Sequence, residues 1–124
     1  MPEESSPPAV IALPADLMFA ARIRGTAQAV GANLTLVRNE KELLERARAL
    51  APRQIIIDLD TRSLDPVALI ATLKADPTLK SIPILAYVSH VREDAIAGAR
   101  AAGAERVIAR GAFVKNLTEI LAGQ

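Results

Sequence analysis

Five short apolar runs alternate with five segments of helical period along the chain, a pattern that predicts parallel strands covered by helices on both faces. Residues 9–13 are the first run. Pro14 ends it, and Asp16 is placed to cap a helix whose inward stripe is Phe19, Ile23, Ala27 and Val30, stopped by Gly31. Residues 33–37 read as the second strand, and Asn39 caps a helix presenting Leu43, Leu44, Ala47 and Leu50, with Pro52 just past its end. Residues 54–59 are continuous in Ile and Leu around Asp58, which predicts a central strand buried on both faces. Asp65 followed by Pro66 is an N-cap with proline at the first helical position; Val67, Ile70 and Leu73 supply the stripe, and the helix should end near Asp76 and Pro77. Residues 82–88 predict a fourth strand, 92–102 an alanine-rich helix closed by Gly103, and 106–109 a fifth strand. Val114, Leu117, Ile120 and Leu121 mark one last helix.

No repeat or interior linker breaks the series, so residues 1–8, acidic and rich in Pro and Ser, are expected to be a disordered tail and 9–124 one domain with no segment left for an output domain. A doubly wound sheet gathers its functional residues at the carboxyl ends of the strands. Those ends are Pro14 to Asp16, Asp58 to Asp60, Val88 to His90, and Arg110 with Gly111.

Composition narrows the chemistry. Cysteine is absent and His90 is the single histidine, which removes disulfides, thiolate metal sites, a cysteine nucleophile and a histidine zinc cluster. Net charge is +1 and the only aromatics are Phe19, Tyr87 and Phe113, so neither a phosphate-binding field nor a base-stacking platform is present and no direct nucleic-acid partner is expected. No apolar run is long enough for a membrane span and no signal peptide opens the chain, so the expectation is a cytoplasmic protein without a membrane partner. Arg46, Arg48 and Arg53 gather near one helix end and read as a solvated face or a complement to the helix C-terminus. His90 reads as an exposed cap, and Gly98 and Gly103 as packing and C-cap glycines.

The segments IIIDLD, ADPTLKSIPIL, AAGAERVIAR and LTEIL resemble the CheY-like response-regulator receiver family across nearly the whole chain. The resemblance implies a flavodoxin-like (βα)5 sheet of strand order 2-1-3-4-5 and places Asp58 at the phosphoacceptor position of a two-component phosphorelay. It also shows what is missing. Magnesium needs hard carboxylate ligands beside the acceptor, and where receivers carry an acidic pair this chain has Leu13, Pro14, Ala15 and Asp16, the last explained as a helix cap. The hydroxyl-switch position falls on Val88 and the aromatic-switch position on Val107. A one-residue slip would bring Ser89 or Tyr87 to the hydroxyl position, but such a slip turns a strand side chain to the other face. The family lysine is replaced by Arg110, whose planar fork suits a bidentate pair with a carboxylate.

These residues predict a degenerate, pseudo-receiver member of the family: no enzyme, no cofactor and no metal, acting through protein–protein contact of its fourth helix, fifth strand and fifth helix. Its expected partner is a signalling protein, a histidine kinase or an output protein. An ion pair between Asp58 and Arg110 is expected at the sheet edge. The alternative is a phosphorylation-competent single-domain regulator using Asp58, with Asp60 as an extra acid and Mg2+ as cofactor. A flavodoxin-like small-molecule binder or enzyme is the remaining class.

Overall fold

A computed structural model describes residues 8–89 and 92–123. Five parallel strands lie in the order β2-β1-β3-β4-β5: β1 (Ala9–Leu13), β2 (Asn33–Leu36), β3 (Gln54–Asp58), β4 (Ile84–Val88) and β5 (Arg106–Ala109). Between and after them run α1 (Leu17–Val30), α2 (Glu40–Leu50), α3 (Pro66–Ala75), α4 (Glu93–Ala102), α5 (Arg110–Lys115) and α6 (Leu117–Ala122). This is the expected doubly wound, flavodoxin-like sheet.

The alternation of strand side chains divides the core in two. Ile11, Leu13, Ile55, Ile57, Ile84, Ala86 and Val88 face α2, α3 and α4, while Val10, Ala12, Ile56, Leu85 and Tyr87 face α1, α5 and α6. Both faces are covered, which is why β1, β3 and β4 read as unbroken apolar runs.

The predicted caps form because each needs only its own turn. Asp16, Asn39 and Asp65 accept from the N–H groups of Phe19, Glu42 and Ala68. Gly103 closes α4 at φ 115°, where a Cβ would also lie 2.7 Å from Lys74 Cγ. The Lys74 ammonium in turn donates to the carbonyls of Lys80 and Ile82, each at 3.0 Å, and to Glu105 Oε2 at 2.6 Å, tying α3 to the entrance of β4.

Several boundaries and stripes differ from expectation. β2 and β3 stop one residue earlier, at Leu36 and Asp58, and β4 starts at Ile84 because Ile82 belongs to the turn before Pro83. Leu50 is exposed and Val30, Leu44 and Val67 only half-buried, whereas Leu69 joins the α3 stripe. The last helix is two helices, broken at Asn116, whose ψ of 12° is outside the helical range; the side chain that α5 buries is Phe113, while Val114 is only half-buried. Arg53 is no solvated charge: its Nη2 donates to the carbonyls of Ile120 and Leu121 at the end of α6, at 3.1 and 2.8 Å. Arg48 pairs with Asp76 at 2.8 Å. Residues 1–7, within the expected tail, and His90 lie outside the described residues. No described helix is long and apolar enough to cross a membrane.

Candidate functional site

The strand order reverses between β1 and β3, and an open α/β sheet forms its crevice at the carboxyl ends of such a pair. Asp58 closes β3 there, fully buried at 0% exposure. Its Oδ1 accepts the Asp60 N–H at 2.9 Å. Its Oδ2 accepts the Ala15 N–H at 3.2 Å and Arg110 Nη2 at 3.2 Å. The β1–α1 turn, Pro14 and Ala15, thus meets Asp58 with a backbone donor and brings no side-chain oxygen to it.

Asp60 sits one turn outward. Its Oδ2 accepts the Ser89 N–H at 2.6 Å and its Oδ1 accepts Arg92 Nη1 at 3.3 Å. Arg110 Nη2 is 3.8 Å from Asp60 Oδ2, so one guanidinium nitrogen stands between the two carboxylates. The expected pair with Asp58 is present, but not as a bidentate fork. The guanidinium lies over the Phe19 ring, Cζ 4.5 Å from its centroid, and this cation–π contact turns Nε into a buried position without a hydrogen-bond partner.

Phe19 belongs to a three-ring stack. Tyr87 and Phe113 lie 4.1 Å apart at 6°, and Phe19 is 5.2 Å from Tyr87 and 5.9 Å from Phe113. The Tyr87 hydroxyl is buried beside the Asp58 carboxylate, near enough to help lower the Asp58 pKa but short of full hydrogen-bond geometry.

Electrostatics separate the two acids. Burial raises the Asp58 pKa above its ordinary 3.8, against the pull of the Asp60 and Ala15 N–H groups and the Arg110 charge. Burial acts on Asp60 as well, but the bonds from Ser89 and the charges of Arg110 and Arg92 outweigh it and hold Asp60 below 3.8. Burial, with the Asp58 charge beside it, raises the Tyr87 phenol.

Of the residues picked from sequence, Asp58, Asp60, Ser89 and Arg110 converge. Val88 and Val107 do not: both pack into the core on the α3/α4 side, away from the carboxylates. Ser89 reaches Asp60 because it lies past the end of β4, where strand alternation no longer governs direction. Sequence reasoning missed Phe19, Arg92 and the Ala15 N–H. It also missed the role of Tyr87, which is the register partner of Asp58 and shares its face of the sheet. Counting that register was the available signal. Among the described residues, no group of three or more His, Cys, Asp or Glu could hold a metal ion.

Comparison with solved structures finds the same fold in response regulators. The phosphorylated cyanobacterial phytochrome response regulator RcpA matches with a TM-score of 0.78 and 24% identity, over 94% of this chain and 90% of that one. The chemotaxis response regulator CheY4 of Vibrio cholerae gives 0.80 and 17% over 93% and 96%. The Mn2+-bound form of response regulator Rcp1 gives 0.75 and 16% over 94% and 91%. At these identities the likeness establishes the fold. No family model matches the sequence, and no curated protein matches it.

Proposed function

We propose that this chain is a receiver-type signalling domain of a two-component system in which Asp58 is a structural anion and not a phosphoacceptor, so that it works as a pseudo-receiver through contact with a signalling partner in the cytoplasm. The observation that carries this is the position of Arg110, bonded to Asp58 at 3.2 Å and 3.8 Å from Asp60. A fixed cation of the protein's own stands where an acceptor carboxylate would need a free oxygen.

The donor set does not fit magnesium. That ion asks for near-octahedral oxygen ligands, usually one or two carboxylates with several waters. Here the Asp58 oxygens accept two backbone N–H groups and a guanidinium, and Asp60 is neutralised by Arg92 and Arg110. Ala15 turns an N–H inward at the point where further acid would be required.

Titration of the 15N-labelled chain with Mg2+, followed by beryllofluoride as a phosphoryl mimic, tests this reading. Binding should be no tighter than roughly millimolar, because so few direct ligands are offered. Any shifts should stay near Asp58, since a ligand moves an equilibrium only through contacts that differ between states. Saturation at tens of micromolar, with shifts spreading to Val107 and α5, would establish the phosphorylation-competent regulator instead.

A further inference from the structure

The two helices that close the chain are held by different means. α6 buries Leu117, Ile120 and Leu121 and packs along α1. Arg53 Nη2 fastens its far end, donating to the Ile120 and Leu121 carbonyls at 3.1 and 2.8 Å. α5 has six residues and buries a single side chain, Phe113. Among the described residues no side chain caps the start of either helix. At the junction Asn116 Nδ2 instead donates backward to the Ala112 carbonyl at 2.9 Å, where the helical path is broken by a ψ of 12°. A helix this short has no stability of its own, so α5 persists through what its side chains touch.

Those contacts are two. Arg110, its first residue, reaches Asp58 at 3.2 Å and Asp60 at 3.8 Å, with its guanidinium over the Phe19 ring. Three residues on, Phe113 stacks on Tyr87 at 4.1 Å. Gly111 between them adds nothing: glycine is a poor helix former, and a Cβ placed there would meet no atom within 4 Å. Neither carboxylate depends on Arg110 for its hydrogen bonds. Asp58 also accepts the Ala15 and Asp60 N–H groups, and Asp60 accepts the Ser89 N–H and Arg92. Departure of Arg110 therefore leaves no carboxylate without a donor, and the departing side chain is already 29% exposed.

We propose that α5 is a flap, hinged at Asn116 and shut by Arg110 as its clasp, which opens while α6 and the sheet stay folded and so uncovers Tyr87 and Phe19. The sheet edge thereby has a closed form, with Phe113 in the ring stack, and an open form that presents two aromatic rings to solvent. Any group that draws Arg110 off its carboxylates shifts the balance toward the open form, because its contact with the guanidinium differs between the two. The inference goes beyond the reading of Asp58 as a structural anion and does not rest on it, since every contact named belongs to the unmodified chain.

Amide hydrogen exchange in the full chain, followed by NMR without metal or phosphoryl mimic, tests the flap. The Asn116 N–H, bonded to the Ala112 carbonyl, reports on α5, and the Ile120 N–H, bonded to the Asn116 carbonyl, reports on α6. Arg110→Ala, and the milder Arg110→Gln, should lower protection at Val114 to Asn116 by at least about tenfold while changing Ile120 and Ile55 to Ile57 by no more than about twofold. Arg53→Ala should do the reverse, loosening Ile120 and leaving α5 as it was. Gly111→Ala should raise protection in α5 about threefold to fivefold, as the better helix former. Tyr87 is the only tyrosine of a chain without tryptophan, so acrylamide quenching of its fluorescence gives a second readout. Quenching should increase in R110A and R110Q and stay unaltered in R53A. A loss of protection shared equally by α5, α6 and Ile55 to Ile57 in both Arg110 variants would show that Arg110 supports the whole fold, and would overturn the proposal. So would α5 and α6 responding together to R110A and to R53A, an α5 indifferent to G111A, or Tyr87 quenching unchanged in R110A.

Discussion

A carboxylate at 0% exposure carries a heavy desolvation cost unless its charge is matched, and Asp58 is matched by two N–H groups and Arg110. The match is incomplete, so its folded pKa stays above the ordinary 3.8. The folded chain therefore holds a proton at Asp58 more readily than the unfolded chain; the stability from this group is full below 3.8 and is lost as pH rises through the folded value. Asp60 acts in the opposite sense: its contribution is present above 3.8 and lost as pH falls through its depressed value. Carboxyl-carbon NMR should show Asp58 titrating above the ordinary aspartate range and Asp60 below it, and coincident titrations would contradict the structure. D58N removes the first titration, so its stability relative to wild type should improve as pH rises above 3.8 and through the folded Asp58 value. Urea midpoints across that range measure this, and a pH-independent difference would count against it.

At the level of the elements, the break at Asn116 separates what periodicity joined. In one continuous helix, Val114 and Phe113 lie three and four residues before Leu117 and are equally in phase with it, so pattern alone does not choose between them. The stack against Tyr87 at 4.1 Å chooses Phe113. Phe113→Ala should cost about 3–5 kcal/mol by opening a cavity in that stack. Val114→Ala, at a half-buried position, should cost only about 1 kcal/mol or less. Chemical denaturation of the two variants checks this, and similar losses would mean that the helix presents its other side. The caps were legible from sequence for the converse reason: the Asp16, Asn39 and Asp65 bonds span three residues each and need no tertiary partner.

Across the whole molecule, β1, β3 and β4 are hydrogen-bonded on both edges and covered on both faces, while β2 and β5 form the rims. Local opening frees a rim strand without exposing the centre. Amide hydrogen exchange should therefore be slowest in Val10 to Leu13, Ile55 to Ile57 and Leu85 to Val88, and faster in β2 and β5. Exchange in β5 as slow as in β3 would show that the rim opens only with the global transition.

The alternation of apolar runs with helical periods was enough to determine the elements, the burial of the three central strands and the position of Asp58 at a strand end, because strand and helix periods are properties of the local chain. The absence of carboxylates at Pro14 and Ala15 and the change to Arg110 were equally visible, since they are matters of residue identity. Only the tertiary structure decided which groups close on Asp58. Ala15, Tyr87 and Arg110 are distant from it along the chain and are brought to one edge by strand register. The stacking of Phe19, Tyr87 and Phe113, whose Phe19 ring lies under the Arg110 guanidinium, depends on the side of the sheet where α1, β4 and α5 meet. Neighbours of that kind come from the packing of layers and leave no periodic trace in the sequence.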